Sequence, residues 1–97
     1  MSTYGRGISI YEAGCTRLNR SGAGNTTMLV VPSGNYYAEL SVYAGSTGAG
    51  YIEASGVGNI MPTTGIAATR FLIGDGVTVI GVSTIDVTYS YVIFANT

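Results

Sequence analysis

Two segments of this 97-residue chain change face at every second residue, and no segment repeats with a helical period. In the first, Tyr36, Ala38, Leu40, Val42 and Ala44 fall on one side and Tyr37, Glu39, Ser41 and Tyr43 on the other. In the second, Ile85, Val87, Tyr89, Tyr91, Ile93 and Ala95 oppose Asp86, Thr88, Ser90, Val92 and Phe94. A period of two is that of a strand with one buried face. The inner set of the second segment is wholly apolar or aromatic, so the sequence predicts a central strand there. By the same alternation Tyr36, Tyr89 and Tyr91 point inward, and Tyr37 and Tyr43 outward.

Shorter strand candidates lie between turn residues. Met28–Val31 ends at Pro32-Ser33-Gly34-Asn35, where proline fixes φ and glycine permits a positive one. Tyr51–Ala54 and Ile60–Pro62 follow a glycine-rich connection over residues 45–50. Ala67–Ile73 and Val77–Ile80 flank Gly74-Asp75-Gly76, the strongest local hairpin signal in the chain. Residues 1–27 differ in kind. They are polar and rich in small residues, with one short strand candidate, Ile8–Glu12, and a stretch from Gly14 to Thr27 that reads as an arm or long loop. The expected fold is all-β: a single small β-sandwich or jelly-roll of six to eight short antiparallel strands over residues 28–97, preceded by an extended N-terminal arm over residues 1–27.

Composition bears on function. The chain carries nine charged residues, with no histidine, lysine or tryptophan, against fifteen glycines and eight tyrosines. Acid–base catalysis needs groups of tuned proton affinity, and neither Glu39 nor Glu53 is spaced to suggest a carboxylate pair. Cys15 is the sole cysteine, so it forms no intrachain disulfide, and no histidine is present to activate it. One cysteine and one turn aspartate, Asp75, do not make a metal site. The glycines of residues 45–50 lack the lysine and helix of a phosphate loop. Accordingly no catalytic, cofactor-binding or metal-ligating residue is assigned, and no cofactor is expected. A net charge of −1 does not favour nucleic acid. No run reaches bilayer-spanning length, and the start, Met1 to Arg6, has no apolar stretch of a secretory signal. Synthesis in a cytosol without export by the usual route is the expectation, and the two glycosylation triplets at Asn19 and Asn25 are read as chance.

What remains is contact chemistry. Arg6, Arg17 and Arg20 against Glu12 give residues 1–27 a net +2, whereas Arg70 against four carboxylates gives the rest −3. A basic segment on an acidic body suits contact between subunits or with an acidic shell, and arginine is favoured at such surfaces. Tyr37, Tyr43 and Tyr51 present rigid rings with polar tips, suited to a protein interface or to a glycan. These six residues, Arg6, Arg17, Arg20, Tyr37, Tyr43 and Tyr51, are the interface candidates.

In its order of turns the chain resembles small β-sandwich virion proteins of tailed bacteriophages. The resemblance rests on Val31-Pro32-Ser33-Gly34, the alternating Tyr36–Ala44, Leu72-Ile73-Gly74-Asp75-Gly76-Val77-Thr78-Val79, and the tyrosine-rich Val87–Ala95. It implies a non-enzymatic structural protein located in the virion. Its first form is a capsid decoration (cement) protein that binds the outer face of a phage head as an oligomer, with a trimer expected. The implied partners are copies of itself and the major capsid protein or other virion proteins. A tail, collar or head-fibre subunit and a carbohydrate-binding module are the alternatives.

Overall fold

The computed structural model describes residues 7–45, 50–63 and 67–96. Eight strands form two four-stranded antiparallel sheets packed face to face. They are β1 (Ile8–Arg20), β2 (Asn25–Val30), β3 (Tyr36–Ala44), β4 (Tyr51–Ala54), β5 (Gly58–Pro62), β6 (Ala67–Ile73), β7 (Thr78–Val82) and β8 (Ile85–Asn96). The first sheet has the order β1-β8-β3-β6 and the second β2-β7-β4-β5. β1 pairs with β8, β2 with β7, β3 with β6 and β4 with β5. That is one long antiparallel ribbon folded over on itself. β3–β8 and β4–β7 pairs then seam adjacent turns of the ribbon together. This wound ribbon is the jelly roll, one way a β-protein limits its exposed edges.

The alternation in sequence becomes the inside and outside of the sandwich. Ala38, Leu40, Val42 and Ala44 of β3 and Ile85, Val87, Tyr89 and Ile93 of β8 are buried against Leu29, Ile52, Met61 and Val79 of the second sheet. β8 lies between β1 and β3, as its apolar inner row requires. Met28 is the extra residue of a bulge in the β2–β7 pairing, and bulges leave backbone groups outside the ladder. Its carbonyl accepts a hydrogen bond from the Tyr89 hydroxyl at 2.9 Å, which ties the two sheets together. Burial raises the Tyr89 pKa above the usual phenol value.

Two expectations are corrected. The turn at Gly74-Asp75-Gly76 is real, with Gly76 at φ 73°, but it does not close a hairpin. β6 pairs with β3, and β7 pairs with β2 and β4 in the other sheet. The chain leaves this turn across the sandwich, and local turn chemistry is the same for either exit. The turn instead docks on the one at Pro32–Asn35. Gly76 N–H donates to Pro32 O at 3.1 Å, Val31 N–H to Val77 O at 3.0 Å, and Tyr36 N–H to Asp75 Oδ1 at 3.3 Å. Two of the four segments that carried the resemblance, the turns at Pro32 and at Asp75, thus form one corner of the fold. Second, the stretch from Gly14 to Thr27 is not a loop: β1 continues to Arg20 and β2 begins at Asn25. β1 is an edge strand exposed over most of its length. On its inner side it pairs with β8 all the way from Ile8↔Asn96 to Arg20↔Ile85, so it needs few apolar side chains to hold it.

Candidate functional site

The outer face of the first sheet collects three of the six interface candidates. Strand register sets its rows. Ile10, Phe94 and Tyr37 stand side by side across β1, β8 and β3. The next row is Ala13, Val92, Glu39 and Leu72, and the third is Cys15, Ser90, Ser41 and Arg70. The fourth is Arg17, Thr88, Tyr43 and Ala68. One end of the face is therefore apolar and the other polar.

The apolar end is exposed. Leu72 is 77% and Ile10 67% accessible. Tyr37 stacks on Phe94 with ring centroids 5.0 Å apart and an interplanar angle of 26°, which leaves both rings half-buried. Exposed Ile10 and Leu72 thus adjoin a half-buried aromatic pair, and adjoining apolar side chains on a surface are what a contact patch is made of.

The polar end is a shallow groove of about 490 Å³ lined in part by Cys15, Ser41, Tyr43, Arg70, Thr88 and Ser90. Small residues make its floor, and Tyr43, 53% exposed, rises beside it. The side chains of Arg70 and Glu39 have no ion-pair or hydrogen-bond partner among the described residues. Arg17 is engaged: its guanidinium forks onto Asp86 at 3.1 and 3.3 Å, and that hydrogen bond raises the Arg17 pKa. The pair is on the surface, where such contacts add little stability.

The other candidates lie elsewhere. Arg20 is structural: it donates to Thr26 Oγ1 at 3.0 Å and to Ala23 O at 2.8 Å, holding the β1–β2 connection. Tyr51 is half-buried on the second sheet, opposite Pro62 and Val82. It therefore cannot join Tyr37 and Tyr43 in one ring platform. Arg6 lies outside the described residues.

Sequence reasoning missed Ile10, Leu72, Val92, Phe94 and Arg70. A signal existed for two of them. Val92 and Phe94 are the apolar members of an otherwise polar outward row in β8, which a purely solvated face does not need. Ile10 and Leu72 gave no such signal, because their facing depends on the Tyr11 bulge and on β6 pairing with β3. No protein-family model, curated protein or solved structure matches this chain.

Proposed function

We propose that this chain is a non-enzymatic structural subunit that docks by the outer face of its first sheet onto a larger protein assembly. In the form the resemblance suggests, it is a decoration protein on the outside of a bacteriophage head, present in the virion as an oligomer. The observation that carries the reading is the apolar end of that face, where the half-buried Tyr37–Phe94 stack has exposed Ile10 beside it in the same row and exposed Leu72 in the next. Beside them Arg70 and Glu39 are ready for partners of opposite charge. Arg70 borders the apolar end from the next row, as a charged group does at the polar rim of a protein interface, while Glu39 stands within it between Val92 and Leu72. Repetition of a modest contact over a symmetric shell gives high avidity without any tight single site. The jelly roll hosts capsid domains among others, which supports the reading by analogy alone.

The test is co-sedimentation of the purified protein with undecorated capsids, beside Leu72→Asp. Saturable binding by the wild type and its loss in the folded variant are expected. No binding by either, with hundreds of sites offered, would remove the decoration reading. Copy number per particle separates head from tail, and a glycan bound at the Tyr43 groove in an array would favour the carbohydrate alternative.

A further inference from the structure

β1 is the outermost strand of the first sheet, 13 residues long, and β8 is its only strand partner among the described residues. Along its free side, alternate N–H and C=O groups therefore point away from the sheet, a template for another strand. Proteins usually spoil such an edge with proline, lysine, a bulge or a charge turned outward. The bulge here is at Tyr11. From Glu12 to Arg20 the pairing with β8 is regular, and the segment contains neither proline nor lysine. Its three charged side chains are all bonded within the chain, so none stands as an unpaired charge at the edge. Glu12 accepts from the Tyr91 hydroxyl at 2.6 Å, Arg17 holds Asp86, and Arg20 is bonded to Ala23 and Thr26.

We propose that a second copy of this chain pairs with β1 edge to edge, antiparallel, about a two-fold axis at Thr16. The first sheets of the two copies then run on as one. Thr16 is the midpoint of the regular segment, so this register uses all of it. It also sets Glu12 of each copy opposite Arg20 of the other. Both side chains lie on the same face of β1, since their β8 partners, Ile93 and Ile85, both point into the sandwich. Each keeps polar capacity beyond its present bonds: Glu12 has a second carboxylate oxygen, and Arg20 has further N–H groups. Thr16 meets itself, a favourable cross-strand pair. An axis at Arg17 would set two guanidiniums against each other, and an axis at Cys15 would lose the Glu12–Arg20 match and draw the Tyr11 bulge into the ladder. The contact is isologous, the commonest symmetry of soluble oligomers, and it replaces the expected three-copy arrangement with a pair. It uses the edge of the first sheet, not its outer face, so it stands or falls apart from the docking reading.

Sedimentation of the full chain over a wide concentration range tests it. A reversible monomer–dimer equilibrium is expected. Thr16 is exposed, so Thr16→Lys keeps the fold while placing two ammonium groups together at the axis, and it stays monomeric throughout. In a Cys15→Ser background, Thr16→Cys gives a disulfide-linked dimer on mild oxidation, whereas the native Cys15, set opposite Arg17, does not. A wild type that stays monomeric, a three-copy mass, a Thr16→Lys dimer as strong as the wild type, or ready cross-linking through Cys15 would each overturn the proposal.

Discussion

Gly50 shows how little freedom a single position in this fold can have. A Cβ built there would overlap the Val82 carbonyl oxygen and press on that of Thr84, both backbone atoms of the opposing β7–β8 turn region. The contact is fixed further by Gly50 N–H donating to Thr63 Oγ1 at 3.1 Å and Thr63 N–H donating to Gly50 O at 2.9 Å, with Thr63 fully buried. Neither backbone can withdraw cheaply, so Gly50→Ala is expected to destabilise the protein by about 3 kcal/mol or more, read as a lower urea midpoint. Loss of under about 0.5 kcal/mol, the range of ordinary surface changes, would show that the approach is looser than described. The tyrosines make a second residue-level prediction. Burial raises the Tyr89 pKa, and the hydrogen bond to Glu12 does most to raise that of Tyr91. Both phenols are thus held protonated in the folded state more firmly than in the unfolded chain. The stability they contribute is whole below the unfolded phenol value of about 10 and is lost as pH rises through the folded values. Denaturant midpoints should be level with respect to these groups at neutral pH and fall above pH ~10. Tyr89→Phe should flatten part of that fall while costing about 1–2 kcal/mol at neutral pH, because the Met28 carbonyl loses its donor.

Among the strands, β8 and β1 are opposites although they pair over their full length. β8 has neighbours on both sides and a buried inner row, while β1 has one neighbour and little burial. Hydrogen exchange in dilute solution should find the slowest amides in β8 and β3 and fast alternate amides along β1. Equal protection in β1 and β8 at the lowest concentrations would contradict this account of the edge. The same contrast explains what was legible in the sequence. β3 and β8 could be read directly, because a half-buried strand must alternate and both do. β1 could not, because its cohesion comes from backbone pairing, which leaves no mark on side-chain composition. The Gly74–Gly76 turn announced itself, yet its exit into the second sheet is set by where β2 and β4 lie, information distant in sequence. For the candidate site, the outward facing of Tyr37 and Tyr43 was legible and their company was not. Rows across strands depend on register, and register here shifts at bulges in β1, β2 and the β4–β5 pair.

The molecule as a whole is held by contacts between distant parts of the chain. β1 meets β8, the two ends of the described residues, and every connection except the β4–β5 hairpin passes from one sheet to the other. Closing such pairs costs loop entropy before burial rewards it, so refolding should be slow for a chain of this length, on the order of milliseconds to seconds. Stopped-flow refolding in microseconds would mean that local structure contributes more than this topology allows. A small domain also gains from association, since burying surface against neighbours adds stability that its own modest core does not supply. The fold leaves two kinds of open surface among the described residues, a free strand edge at β1 and an apolar end to the outer face of the first sheet. The most direct measurement of the proposed reading is an image, at side-chain detail, of this chain mixed with undecorated capsids. The account predicts that Ile10, Tyr37, Leu72 and Phe94 lie against another protein there. A particle in which that face looks onto solvent while the second sheet makes the contact would contradict it.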